Sequence, residues 1–296
     1  MRRLNIVFLL TVVCSNCFCQ RHALVFQSDF GLKDGAVAAM KGVAFSVSDD
    51  LRIFDLTHEI PPFNIWEAAY RLNQSVSYWP AGTVFVSIVD PGVGSSRRSV
   101  VARMRSGHFI VTPDNGTLTL IAENLGLDEV REIDETKNRL RNSEKSYTFH
   151  GRDVYAYTGA RLAAGVITFE EVGAKMIGDI IKLPYQKPVF EHNQVRGNIP
   201  VLDVQYGNIW TNIDSKTFQK LGVKAGGDLH VKIIHDQKTV YEGRVPFANT
   251  FAEVPEGKVV GYLNSLLNFS IAINADSFAE RYKIKSGPEW SIILEK

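Results

Sequence analysis

The chain has 296 residues, 45% apolar and 22% charged, the balance of a globular protein rather than of a disordered or membrane-embedded one. A formal charge of +1 leaves no basic excess to attract nucleic acid or an anionic membrane, and neither is expected as a partner. All three cysteines, Cys14, Cys17 and Cys19, lie near the amino terminus, so the remaining chain must fold without disulfide staples.

In chain order, Arg2 and Arg3 precede an apolar run over 6–13 that is too short to span a bilayer. Cys17 and Cys19 occupy the small-residue positions of a cleavage site. The pattern predicts a signal peptide over 1–20 and an exported protein, periplasmic or secreted. A lipid anchor is the weaker option, because none of the three cysteines directly follows Gly, Ala or Ser. Losing Arg2 and Arg3 would take the formal charge from +1 to about −1.

From residue 23 to about 180, short runs rich in Val, Ile and Phe (23–30, 51–57, 83–90, 108–112) alternate with helical stretches (34–46, 64–78, 152–164). Asn64 stands as an N-cap after Pro61-Pro62, and Gly165 ends the last stretch. This alternation predicts an α/β N-terminal domain over 21–188 with a mostly parallel sheet. Residues 183–197, with Pro184, Pro188, His192 and Asn193, read as a linker. Beyond it, seven short strand-like runs (201–205, 209–213, 229–235, 239–245, 259–263, 269–274, 290–294) with little helix predict a smaller C-terminal β-barrel or sandwich domain over 189–296.

Two polar islands follow apolar runs: Asp90-Pro91-Gly92-Val93-Gly94-Ser95-Ser96-Arg97-Arg98 and Thr148-Phe149-His150-Gly151-Arg152-Asp153. Open α/β sheets bind ligands on loops at the carboxyl ends of their strands, which makes these islands site candidates. Each also has a plain structural reading. The Pro-Gly-Val-Gly run is a turn as readily as a phosphate cradle, and it lacks the Lys-Ser/Thr ending of a P-loop. An isolated histidine is often a packing residue, and Arg152-Asp153 fits a local ion pair. Asp29 suits a helix cap as well as a ribose, and Tyr206-Gly207-Asn208 suits a hairpin turn as well as a base-reading site. No zinc pattern, Gly-x-Ser-x-Gly elbow or Gly-x-Gly-x-x-Gly appears, so neither metal nor cofactor is expected.

The combination of Ser28-Asp29-Phe30-Gly31 with Asp34, Asp55-Leu56-Thr57-His58-Glu59-Ile60-Pro61-Pro62-Phe63, Asp90-Pro91-Gly92-Val93-Gly94, Pro113-Asp114-Asn115-Gly116, Thr148-Phe149-His150-Gly151-Arg152-Asp153, Gly207-Asn208 with Thr211-Asn212-Ile213, and Asn264-Ser265 resembles the S-adenosyl-L-methionine hydroxide adenosyltransferases, hydrolase relatives of the fluorinases and chlorinases. The resemblance runs from about residue 23 to the carboxyl terminus. It implies an α/β domain followed by a β-barrel domain, a homotrimer with sites at subunit interfaces, and hydrolysis of S-adenosyl-L-methionine to adenosine and L-methionine. The halogenases carry Tyr in place of Asp90 and Tyr-Ser in place of His150-Gly151, whereas the hydrolases carry an Asp-Arg-His set that falls here on Asp90, Arg97 and His150. A one-residue shift in the loop would exchange Arg97 for Arg98.

The same resemblance implies that Asp29 holds the ribose hydroxyls and that Asp34, Asp203 and Ser265 hold the methionine amino-acid group. Phe63, Phe149, Tyr206 and Trp210 would line the pocket, with Asn208 and the backbone near Ala275 reading adenine. After Asn264-Ser265 the halogenases continue with Arg-Gly, whereas this chain has Leu266-Leu267. An exported adenosyl-ligand binding protein without turnover and a S-adenosyl-L-methionine-dependent halogenase are the alternative readings.

Overall fold

The computed structural model describes residues 22–296, so the segment read as a signal peptide lies outside the described residues. Among the described residues, no helix is long and apolar enough to cross a membrane.

Six strands build the first sheet: β1 (Leu24–Ser28), β2 (Ile53–Thr57), β3 (Val84–Ile88), β4 (Ser99–Met104), β5 (Phe109–Pro113) and β6 (Leu127–Glu132), in the order β2-β1-β3-β5-β4-β6. β1 pairs in parallel with β2 and β3, and β3 with β5, while β4 runs antiparallel to both β5 and β6. The sheet is therefore mixed, which corrects the expectation of a mostly parallel one. The cause is local. Only residues 105–108 separate β4 from β5, with Gly107 at φ +83°, and a loop that short can join only antiparallel strands.

Helices cover both faces. α1 (Ala36–Val47) buries Val37, Met40 and Ala44, spaced three and four apart on one stripe. α2 (Ile65–Ser75) starts at Asn64, whose side chain accepts a hydrogen bond from the Glu67 amide, as its cap position predicts. α3 (Thr119–Leu125) and α4 (Tyr157–Ala163) complete the set. Alternation along β1 divides the core: Leu24 and Phe26 join Met40 and Ala160 on one face, while Val25 joins Leu72 and Ile121 on the other.

The remaining strands are β7 (Val189–Glu191), β8 (Gln194–Ile199), β9 (Val201–Asp203), β10 (Asn208–Asp214), β11 (Asp228–His235), β12 (Lys238–Pro246), β13 (Val259–Leu263), β14 (Asn268–Ile273) and β15 (Gly287–Glu295), with two short helices, α5 (Ser215–Gln219) and α6 (Phe278–Tyr282). They form two antiparallel sheets, β13-β14-β10-β9 and β12-β11-β15-β8-β7. Ile209 and Phe269 of the first sheet share a core with Val231 and Ile292 of the second. The barrel expectation is corrected in part, because the ladders do not close. Between β12 and β13 lies only an isolated bridge from Phe247 to Gly261.

The stretch read as a linker also holds structure. β7 and β8 form a hairpin there, and His192 (φ 50°) and Asn193 (φ 61°) make its two-residue turn. α2 ties the two parts of the molecule together, with Trp66 Nε1 donating to the Pro200 carbonyl at 3.1 Å and Arg71 Nη2 to the Leu202 carbonyl at 2.9 Å.

Candidate active site

Parallel pairing of β1, β2 and β3 puts the loops after these strands at one sheet edge, and these loops carry Asp29, Phe63 and Asp90. Under the first loop runs a polar chain, buried at Ser28 and His58 and open to solvent at Asp55 and Lys41. Ser28 Oγ lies 2.7 Å from His58 Nδ1, His58 Nε2 lies 3.1 Å from Asp55 Oδ1, and Asp55 Oδ2 accepts from Lys41 Nζ at 2.6 Å. The order is that of a Ser-His-Asp triad, but Ser28 has no accessible surface, so the chain braces the loop rather than supplying a nucleophile. The His58 carbonyl accepts from the Gly31 amide at 2.8 Å, which fixes the turn beyond Asp29.

Asp29 does not cap α1. Its Oδ2 accepts from the Phe63 amide at 2.9 Å, and Phe63 itself is held at φ 68° and is 71% exposed. A bulky residue in the left-handed region is uncommon, and here the carboxylate supports it. Asp34 accepts from the Ala36 amide at 2.8 Å, at the start of α1.

The loop after β3 turns Asp90 back onto Arg97. Arg97 Nε donates to both carboxylate oxygens, at 2.9 and 3.0 Å, and Nη2 donates to Oδ2 at 2.5 Å. Both side chains are nearly buried, at 7% exposure for Asp90 and 10% for Arg97. Arg97 Nη1 also donates to Ser99 Oγ at 2.8 Å, and the guanidinium lies over the Tyr155 ring. Burial alone would depress Arg97, but its bonds to Asp90 and the fields of Tyr155, Asp90 and Glu135 raise it above its ordinary value. Tyr155 is itself pushed up by burial and then by Asp90. Arg98 points elsewhere, donating to Asp114 Oδ2 at 2.5 Å and to the Asp179 carbonyl at 3.0 Å. It is therefore Arg97 that pairs with Asp90.

His150 immediately precedes a π-helical stretch, Gly151–Ala156, which runs into α4. Such stretches recur at functional sites because they re-aim side chains within a helix. The ring is buried, its Nδ1 has no hydrogen-bond partner, and its Nε2 lies 3.8 Å from Glu135 Oε2. Burial lowers its pKa below the usual 6.5; Glu135 and Asp90 act upward, Arg97 and Arg139 downward. Phe149 packs edge-on against Phe30 with ring centroids 5.7 Å apart, and Arg152 pairs with the buried Asp153 at 2.7 Å, as a local ion pair should.

The C-terminal candidates gather around a separate groove of about 1220 Å³, lined among others by Asp203, Tyr206, Asn208, Trp210, Ser265 and Ala275. Tyr206-Gly207-Asn208 closes a β9–β10 hairpin turn and also lines this groove, so the structural and functional readings coexist. Gly207 (φ 67°) is obligatory, because a Cβ there would meet Ser277 Oγ at 1.9 Å. Asn208 Nδ2 donates to Asp203 Oδ2 at 3.1 Å. Asn264 Oδ1 accepts from the Leu266 and Asn268 amides and so shapes the loop that carries Ser265. Ala275 sits at φ 61°, and Leu266 packs with Tyr70 and Trp210. None of Asp29, Asp34, Phe63, Asp90, Phe149, Arg97 and His150 lines this groove. Within one chain the candidates fall into two separate groups.

Sequence reading missed Glu135, Arg139, Ser99 and Tyr155. Glu135 and Arg139 stand in a charged loop with no motif to mark them, and Tyr155 reads as one more aromatic on a helix.

Residues 24–173 match the family described as SAM hydroxide adenosyltransferase N-terminal domain, and residues 197–291 match the corresponding C-terminal domain. The chain is 33% identical over 264 residues to the (R)-S-adenosyl-L-methionine hydrolase of Methanocaldococcus jannaschii, covering 87% of this chain and 86% of that one. It is 32% identical over 292 residues to a fluorinase of Actinopolyspora mzabensis, covering 90% and 95%. A crystal structure of an uncharacterized conserved protein from Thermotoga maritima superposes with a TM-score of 0.85 at 33% identity, covering 92% of this chain and all of that one.

Proposed function

Because this chain belongs to the SAM hydroxide adenosyltransferase family, we propose that it hydrolyses S-adenosyl-L-methionine to adenosine and L-methionine, with water attacking the ribose 5′-carbon. The observation that carries the reading is the bidentate Asp90–Arg97 pair within electrostatic reach of His150, a buried imidazole kept neutral at pH 7. As the C5′–O bond forms, the C5′–S bond breaks and its electron pair stays on sulfur. The leaving group is a neutral thioether and needs no acid. The water proton passes to His150, with Asp90 orienting the water and Arg97 stabilising its hydroxide character. Asp29, Asp34, Phe63 and Phe149 would present ribose and amino-acid contacts from one half-site. Asp203, Tyr206, Asn208, Trp210, Ser265 and the Ala275 backbone would present adenine and amino-acid contacts from the other.

Two half-sites in one chain favour a homotrimer in which each site is completed by a neighbour. Export rests on the amino-terminal pattern alone, and mass analysis of the mature amino terminus tests it.

The activity is tested by incubating the purified protein with S-adenosyl-L-methionine in water enriched in heavy oxygen, free of halide. Adenosine carrying the label supports the proposal. Binding without turnover would favour the adenosyl-ligand binding protein. Because fluorinases are among the relatives, the assay is repeated with fluoride and chloride, where a 5′-halogenated nucleoside would replace the hydrolytic reading.

A further inference from the structure

The ring of His150 has little to hold it. Its Nδ1 is buried without a partner, Tyr147 lies tilted against it with centroids 6.3 Å apart, and the acidic group facing Nε2 is Glu135, at 3.8 Å. That spacing is too long for a direct hydrogen bond but short enough for the carboxylate's field to act on the ring.

Glu135 is about one-third exposed and would be free to swing into solvent were it not clamped. Arg139 Nη1 donates to its Oε2, the same oxygen that faces His150, at 2.7 Å. Arg139 in turn is nearly buried and fully engaged, donating through Nε to Ser143 Oγ at 3.1 Å and through Nη2 to the Ser146 carbonyl at 3.0 Å, with its guanidinium over the Tyr147 ring. The loop between β6 and the π-helical stretch is thus built around one arginine that aims one carboxylate at one imidazole.

We propose that Glu135, held by Arg139, is a positioning residue that orients His150 and sets how firmly its ring holds a proton. The inference rests on the reading of His150 as the group that receives the proton of water. The other charged groups acting on the ring are Asp90, which like Glu135 favours the protonated form, and Arg97 and Arg139, which oppose it. Since Asp90 is bound by Arg97 and Glu135 by Arg139, the balance is set by how closely each carboxylate approaches. Removing the charge of Glu135 while keeping its shape tips that balance toward the neutral ring.

The test is a pH titration of histidine-labelled protein by NMR, with the His150→Gln variant identifying the His150 signal. Glu135→Gln keeps an acceptor for Arg139 and should preserve the loop, yet it should lower the His150 midpoint by about half a unit or more. Glu135→Asp keeps the charge but withdraws it by one methylene, and its midpoint should fall between the two. The acid limb of kcat/KM should move by the same amount, with KM at the optimum nearly unchanged. A purely structural role would lower Tm or kcat and leave the midpoint where it was. An unmoved midpoint in Glu135→Gln overturns the inference. The titration needs no turnover, so an enzyme that failed to hydrolyse S-adenosyl-L-methionine would overturn the proposed function and leave this reading to be decided separately.

Discussion

Asp90 and Arg97 lie so far from solvent that neither tolerates losing the other. Asp90→Asn leaves a buried guanidinium without its counter-charge, which should cost about 3–5 kcal/mol in chemical denaturation, since the surviving charge loses attraction but not its desolvation penalty. His150→Ala removes an imidazole with few polar contacts, so its cost should fall on turnover instead, lowering kcat by about 10²–10⁴-fold with KM little changed. A parallel loss of binding would contradict that role. The pH dependence follows from burial. Burial holds the His150 ring below its usual 6.5, so the neutral, competent form predominates above that pH and is lost as pH falls through the depressed value. The acid limb of kcat/KM should therefore lie below pH 6.5 and vanish in His150→Ala. Stability has the same sign. The unfolded ring takes up a proton near 6.5 before the folded ring does, so stability drops as pH falls from there, and His22, likewise lowered by burial, adds to the drop.

The helix that begins just past His150 depends on the absence of a side chain at Gly151. A Cβ there would lie 2.9 Å from Phe30 Cζ and 3.3 Å from Phe149 Cε2, so Gly151→Ala must separate the two rings that flank the site. A loss of about 1–3 kcal/mol and a fall in turnover are expected. Gly42, on the exposed side of α1, has nothing within 4 Å. Gly42→Ala should raise stability by about 0.5–1 kcal/mol and leave turnover alone, which thermal melts and assays of the pair would check. Elements with strong local signals were legible in the sequence, and Asn64 caps α2 as its position implies, whereas the partnership of Asp90 with Arg97 was reached through the family resemblance. What escaped had no local mark. β4 begins directly after two arginines and its direction is set by a short loop, while β7 and β8 were hidden by the same His192-Asn193 pair that makes their turn. Arg97 could be told from Arg98 only once the chain was folded, because adjacent strand-edge residues point in opposite directions.

At the scale of the whole molecule, the puzzle is that the candidate base and the candidate adenine pocket do not share a wall. Phe63 and Tyr206, placed by the family resemblance in one pocket, are 71% and 68% exposed and stand in separate groups. If each site is assembled from two chains, two differently inactivated chains should repair one another. His150→Ala disables the N-terminal half and Asn208→Ala the C-terminal half, and each alone should be nearly inactive. Dissociated, mixed in equal amounts and reassembled as trimers, a given site receives an intact N-terminal half and an intact C-terminal half in about a quarter of cases, since each half is independently intact half the time. Recovery of about a quarter of wild-type activity would establish shared sites. A mixture no more active than its components would mean that both halves belong to one chain, and that the loops carrying Asp90 and His150 must close toward the β9–β10 turn to build its site.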